Sequence, residues 1–374
     1  MVDSLRRAAA RGRPSMRTMR RRSFLILPLS AAVLAACRSG AASVKQPPAD
    51  ASVPAARQTT PPRAPVKLTF QAGFKAQANL PFVAVYVAQE QGLFAAEGLD
   101  VEVQHSSGQD AHIALLAANR IQVATTVAST ILKNVAKPGL PLQAIALFGQ
   151  RGDTVLAALA DSGITTPKDF EGRTAGYKGG FPAPEYLGML KAAGVERGKV
   201  KEVGVGFDVR ILTERRVDIL PVFKSNEPDT LQRLGFALKL WDPADYGVPT
   251  LGVTYVVNSD WAKENGETVT RFLRATMRAV AWVQEHRAEA VEITLRFAPQ
   301  EERAHQRYML DVELEAAQSE LTRRNGIGWM TEAQWTALHD SLVEYNAIEK
   351  AVDVRKLFTT EYLGRVYRDG KLVE

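Results

Sequence analysis

The chain has 374 residues, a formal net charge of +6, 46% hydrophobic residues and 24% charged residues. These proportions belong to a globular protein and exclude both a disordered chain and a multi-span membrane protein. The basic excess is confined to one end: residues 1–36 carry eight arginines against the single acid Asp3, whereas residues 37–374 hold 39 basic and 40 acidic side chains. The body therefore offers no charge-based reason to bind nucleic acid, and its length exceeds that at which a single core stops growing, so two lobes are expected.

Arg20-Arg21-Arg22 precedes the apolar run Ser23–Ala36 (SFLILPLSAAVLAA). This run falls short of the roughly 20 residues needed to span a bilayer core, and its basic flank and small-residue close mark residues 1–36 as an export signal. Leu34-Ala35-Ala36-Cys37 resembles the lipobox of bacterial lipoproteins, and Cys37 is the only cysteine, which excludes an internal disulfide and argues against a thiolate metal site. Cleavage before Cys37 and acylation of its sulfur are expected, several acyl chains anchoring firmly where one would not. Arg21-Arg22-Ser23-Phe24-Leu25 also resembles the twin-arginine export signature, with Arg20 where that motif prefers Ser or Thr; the twin-arginine and general secretory routes both stay open, as do starts at Met16 or Met19. Residues 38–66 hold six prolines and almost no large apolar side chain, so 37–66 is expected to be the lipidated cysteine followed by an unpacked tether, spanning about 3.1 Å per residue when extended.

From Lys67 short apolar runs alternate with helical stretches. Strands are predicted over 67–73, 101–104, 122–126 and 142–148, with helices over 81–92, from 106 to 119 and from 129. A second block with the same grammar predicts strands over 154–160, 173–177, 200–206 and 217–223. Its helices are predicted over 184–193, 208–216 and 226–235. The chain then runs through 251–257 back into the first lobe, and helices over 265–287, 288–296, 300–322 and 331–346 follow, with Phe272, Met277, Val280 and Val283 at core spacing. Repeated strand–helix–strand units predict an α/β fold whose sheets are mostly parallel.

Several segments carry a resemblance. Phe82–Phe94 with Glu97-Gly98-Leu99-Asp100-Val101, Ile164–Gly172 (ITTPKDFEG), Asn226-Glu227-Pro228-Asp229, Gly328-Trp329-Met330, Trp335 and Phe358–Leu363 together resemble the NMT1/THI5-like substrate-binding proteins of ABC importers, relatives of SsuA, over about residues 67–365. The resemblance implies a two-lobed fold of the periplasmic-binding-protein type with a helical C-terminal region: lobe 1 from 67–152, lobe 2 from 153–249, and a return to lobe 1 with the C-terminal helices over 250–374. It further implies a monomer outside the cytoplasm, tethered by lipid to the bacterial cell membrane. There it would capture a small molecule by lobe closure and deliver it to an ABC permease. No cofactor and no bound metal are expected.

Ligands of doubly wound sheets lie beyond the carboxyl ends of the strands, which selects loops. The expected ligand-binding residues are Phe74, Asn79, Phe82, Ser107, Gly108 and Ser129 from the first lobe and Tyr177, Gly179, Phe181, Phe223, Ser225, Asn226 and Glu227 from the second. Phe74, Phe82, Tyr177, Phe181 and Phe223 suit a flat heteroaromatic ligand, and Asn226 with Glu227 also suits the cap and first turn of a helix. Riboflavin is favoured, then a thiamine-precursor pyrimidine; a sulfonate- or nitrate-type anion, a ligand sensor and a pyrimidine synthase are the alternatives. The synthases that the family includes carry a cysteine-rich motif absent here, and Leu80-Pro81 stands where they place His, so no enzymatic activity is expected. No G-x-S-x-G, H-E-x-x-H or Walker A sequence supports a hydrolase. His105, Asp110 and His112 are the nearest approach to a metal motif, and solvated or capping roles are expected for them. Replacement Cys37→Ala is expected to move the protein from the membrane to the soluble fraction on cell fractionation; continued membrane retention would contradict lipidation.

Overall fold

The structure is a computed structural model that describes residues 64–107, 110–178 and 182–373. The export signal, Cys37 and nearly all of the tether lie outside the described residues. β1 (Val66–Ala72) leads to α1 (Leu80–Glu90), where Pro81 occupies the first turn and its missing N–H leaves no helical hydrogen bond unmade. α2 (Leu93–Ala96), β2 (Leu99–His105), α3 (Ala111–Ala117), β3 (Val123–Val127), α4 (Ala128–Ala136) and β4 (Leu142–Leu147) complete the first pass. The second block contains β5 (Thr154–Leu159), β6 (Thr174–Tyr177), α5 (Pro184–Ala192), β7 (Lys201–Gly204), α6 (Arg210–Thr213), β8 (Leu220–Phe223), α7 (Glu227–Arg233) and β9 (Leu238–Trp241). The chain returns through β10 (Val253–Asn258) to α8 (Ser259–Glu264), α9 (Gly266–Glu285), α10 (Arg287–Phe297), α11 (Arg303–Ala316), α12 (Glu320–Asn325) and α13 (Glu332–Glu344). A hairpin of β11 (Tyr367–Arg368) and β12 (Lys371–Leu372) ends it.

The first lobe is built on a five-stranded sheet of order β2-β1-β3-β10-β4, parallel except for β10. In the second, β5 runs antiparallel between β8 and β9, while β6 and β7 pair in parallel and join through a parallel bridge from Ala175 to Ile219. Each lobe thus carries one reversed strand, and in both it is the strand that the chain forms just after crossing between lobes.

Two expectations fail locally. The helix expected over 300–322 is broken: α11 ends at Ala316, and Ser319 opens α12 with a capping box to Thr322, its hydroxyl accepting the Thr322 N–H at 3.1 Å. β9 was not expected at all; it forms as the antiparallel edge partner of β5, a pairing set by tertiary context rather than by its own sequence.

An aromatic cluster fills the core between the five-stranded sheet and α9: Phe70, Phe94 and Tyr255 all meet Phe272, and Phe148 meets Tyr255 edge-on at 4.7 Å. Such pairs contribute about 0.5–1.5 kcal/mol each beyond burial. The tail covers the outer edge of β4, where Leu147 donates its N–H to the Gly328 carbonyl and Ala144 bridges Phe358, while Trp335 stacks on Phe358. Closing an edge in this way removes a template for aggregation.

The two crossings lie side by side. Gly252 donates its N–H to the Gly149 carbonyl at 2.9 Å, Phe148 donates to Val253 at 2.9 Å, and Gly152 donates to the Thr250 hydroxyl at 2.9 Å. A Cβ on Gly149 would lie 2.7 Å from the Gly252 Cα and 3.0 Å from the Arg151 carbonyl, both backbone atoms that cannot swing aside. Replacement Gly149→Ala should therefore cost about 1–3 kcal/mol in urea unfolding, as overpacking does. Gly198→Ala, where nothing lies within 4 Å of an added Cβ, should change stability by under about 0.5 kcal/mol. Equal losses at the two positions would contradict the close crossing.

Candidate functional site

In the first lobe the described residues beyond the parallel strands are 73–79 after β1 and 106–107 and 110 after β2, with α4 following β3 directly; in the second they are 178 and 182–183 after β6, 205–209 after β7 and 224–226 after β8. α11 and the residues leading into it tie these sets together. On the first lobe, Lys75 pairs with Glu301 at 2.5 Å, and Gln306 Oε1 accepts the Ala78 N–H at 2.7 Å. On the second, Tyr308 donates its hydroxyl to the Lys224 carbonyl at 3.0 Å, His305 meets Asn226 Oδ1 at 3.0 Å and Asp229 at 2.7 Å, and Arg233 reaches Glu302 at 2.9 Å.

Where the two sets converge, the carboxyl group of Glu313 is buried and that of Asp153 half-buried. Asn79 donates its amide to Glu313 Oε1 at 2.7 Å and itself accepts from Gln77 at 2.6 Å. Asp153, at the exit of the first crossing, accepts the Ser225 hydroxyl at 2.5 Å and the Ser225 N–H at 3.1 Å. Burial pushes the Glu313 carboxyl far up, and the charge of Asp153 adds to the rise; the Asn79 amide and the Ser225 hydroxyl offset part of it. Burial likewise raises Asp153, its bonds to Ser225 and the charge of Lys224 opposing. Two carboxyl groups so placed hold a proton at a pH where exposed ones have lost theirs.

Among the expected ligand residues, Phe74 and Phe223 are exposed at 41% and 43%, Ser107 is exposed, and Ser129 and Tyr177 are half-buried. Asn79, Ser225 and Glu227 are buried and already paired, Asn79 with Glu313, Ser225 with Asp153, and Glu227 with Lys178. Asn226 precedes α7 but makes no side-chain cap, its amide oxygen being turned to His305; the capping role weighed for it is replaced by a contact between lobes. Phe82 is corrected: at 4% exposed, it packs in the core from α1 and has no free face. Gly108, Gly179 and Phe181 lie outside the described residues. His105 and His112 are also corrected. His105 is half-buried and bonded to the Tyr86 hydroxyl at 2.7 Å, and His112 is buried against the Thr125 carbonyl at 3.0 Å. Among the described residues no group of three His, Cys, Asp or Glu side chains converges, and no helix is long and apolar enough to cross a membrane.

The NMT1/THI5-like family model matches residues 79–290, more than half of the chain. The chain belongs to this family. It is 27% identical to the riboflavin-binding protein RibY of Chloroflexus aurantiacus over 83% of this chain and 92% of that protein. It is 29% identical to the formylaminopyrimidine-binding protein of Halalkalibacterium halodurans over 58% of this chain and 67% of that one. A more distant relative is a 4-amino-5-hydroxymethyl-2-methylpyrimidine phosphate synthase of Saccharomyces cerevisiae, 23% identical over 58% of this chain and 68% of the enzyme. Among solved structures the fold is that of the periplasmic aliphatic sulphonate binding protein SsuA of Escherichia coli, with a TM-score of 0.61 at 15% identity, covering 78% of this chain and 91% of that chain.

Sequence reasoning missed Asp153, Tyr308, His305 and Glu313. A signal existed for Glu313: Gln306, Met309, Leu310, Glu313 and Leu314 share the buried face of α11, so two polar residues interrupt an otherwise apolar stripe. The Glu313 carboxyl, with its proton affinity raised in the fold, favours folding least at high pH. Its contribution is intact below the ordinary carboxylate range and is lost as pH rises through neutrality. The thermal midpoint of the wild type should therefore decline from pH 5 to pH 9, and Glu313→Gln, which stays neutral and keeps an amide for Asn79, should flatten that decline. An equally steep decline in the variant would contradict the assignment.

Proposed function

We propose that the protein is an extracytoplasmic substrate-binding lipoprotein that captures a flat, uncharged heteroaromatic molecule between its lobes and delivers it to an ABC importer. The supporting observation is that the lysines of the cleft loops are all matched by carboxylates: Lys75 with Glu301 at 2.5 Å, Lys178 with Glu227 at 2.7 Å, and Lys224 with Asp242 at 3.6 Å. A site for a sulfonate or nitrate needs unmatched cations or free N–H donors, whereas a neutral ring system needs apolar faces and a few directed hydrogen bonds. Phe74, Phe223 and Tyr177 supply the faces.

Riboflavin is the favoured ligand, supported by a similarity to a riboflavin-binding protein that extends over nearly that protein's whole length. A thiamine-precursor pyrimidine is the second reading, supported by the slightly higher identity to a formylaminopyrimidine-binding protein over a shorter span. Capture follows from the linkage of the lobes: a ligand that touches both is bound best when they are shut, so its binding energy shifts the protein to the closed form, which a permease can read. Domain boundaries at residues 153 and 250 fit this reading, since the chain crosses between sheets there.

Titration of riboflavin into the purified protein should quench flavin fluorescence with one ligand bound per chain and raise the thermal midpoint. Aminopyrimidines, taurine and nitrate run in the same thermal screen separate the classes. A shift with taurine or nitrate but with neither flavin nor pyrimidine would overturn the neutral-ligand reading.

A further inference from the structure

Lys178 follows the last residue of β6, and Glu227 is the first residue of α7. Their side chains are 12% and 11% exposed, with Nζ 2.7 Å from Oε1. The second carboxylate oxygen is also used, accepting the Phe223 N–H at 2.8 Å. Two phenylalanines flank the ammonium: its nitrogen lies 5.8 Å from the ring centre of Phe207 and 5.8 Å from that of Phe223. Phe207 is 70% exposed and Phe223 43%, so the rings present faces outward while the ion pair sits beneath them.

Two features of this arrangement have no structural justification. An exposed Phe at position 207, in the loop after β7, leaves apolar area in water. A buried ion pair of this kind is no more stabilising than apolar residues of the same volume, because desolvating two charges offsets their attraction. Both features lie beyond the carboxyl ends of parallel strands, where this fold class binds ligands. The neighbouring charges are Lys224, paired with Asp242, and Asp153, which is bonded to Ser225.

We propose that Phe207 and Phe223 form the aromatic seat of the cleft and that the Lys178–Glu227 pair beneath them is a charge filter. The seat accepts flat uncharged rings and rejects anionic ones, because Glu227 cancels the cation that the two rings flank. Lys178 is there to be cancelled: without it Glu227 would be an uncompensated buried charge, and without Glu227 the ammonium would recruit a phosphate or sulfonate. This rests on the neutral-ligand reading and deepens it by assigning the residues that enforce it.

The test compares matched neutral and anionic ligands: riboflavin against riboflavin 5′-phosphate, and 2-naphthol against 2-naphthalenesulfonate. Each is titrated into the wild type, Glu227→Gln, Lys178→Met and the double variant of the full chain. The wild type should prefer the neutral member of each pair. Glu227→Gln keeps an acceptor for the Phe223 N–H but uncovers Lys178, and it should shift the ratio of dissociation constants at least about tenfold toward the anion. That gain should fade with added salt, as for an exposed charge contact. The double variant should return to the wild-type ratio, and Phe207→Ala should weaken both members alike.

Wild type that binds riboflavin with an unchanged ratio in Glu227→Gln overturns the filter and leaves the flavin reading standing. Wild type that binds neither flavin, while Glu227→Gln gains the naphthalenesulfonate, overturns the flavin reading and leaves the filter standing. Failure of every variant to bind any of the four ligands overturns both.

Discussion

The two strands of chain that pass between the lobes touch backbone to backbone at Gly149 and Gly252, and the architecture on either side follows from that contact. Because the segments run antiparallel, one leaves the first sheet as the other enters it. The strand formed after each crossing is then reversed relative to its neighbours: β10 lies between β3 and β4, and β5 between β8 and β9. The crossing therefore lies at the foot of the two lobes, where it joins one sheet directly to the other. Any relative movement of the lobes has to be absorbed by backbone torsions near residues 148–153 and 249–253, since the strands on either side are locked in ladders.

Above that foot, the lobes meet through polar groups. α11 reaches the β1 loop through Gln306 and Glu313 and the β8 loop through His305 and Tyr308. A contact made of hydrogen bonds and carboxyl groups can be rehydrated at little net cost, whereas an apolar interface of equal area could not. The matched ion pairs of the loops add to this. They leave the lysines of these loops matched by carboxylates while the body as a whole sits near zero charge.

Much of the fold was legible in the sequence, because strand–helix alternation depends on local periodicity. α1 with Pro81 in its first turn, α9 with its stripe of Phe272, Met277, Val280 and Val283, and the return through β10 could all be read from spacing. What could not be read were features set by non-local partners. β9 is four residues that become a strand only because β5 offers an edge, and the break between α11 and α12 depends on a cap at Ser319 inside a run that otherwise scores as helix. The site was legible to a lesser degree. Phe74 lies on the loop after β1, and Tyr177 and Phe223 are the last residues of β6 and β8, but Phe82 looked the same in sequence and is core, because the face of α1 that it occupies is decided by α9 and the sheet.

The sequence by itself determined the class of fold, the order of its elements and the confinement of the basic excess to the first 36 residues. Each of these depends on composition or on neighbours within a few residues. The tertiary structure alone decided that Glu313 meets Asn79 across 234 residues, that Asp153 meets Ser225 across 72, and that Glu227 neutralises Lys178 across 49. The physical reason is that the protonation and pairing of a charged side chain depend on how much water the fold leaves it and on which opposite charge it brings near, and neither is encoded in local spacing.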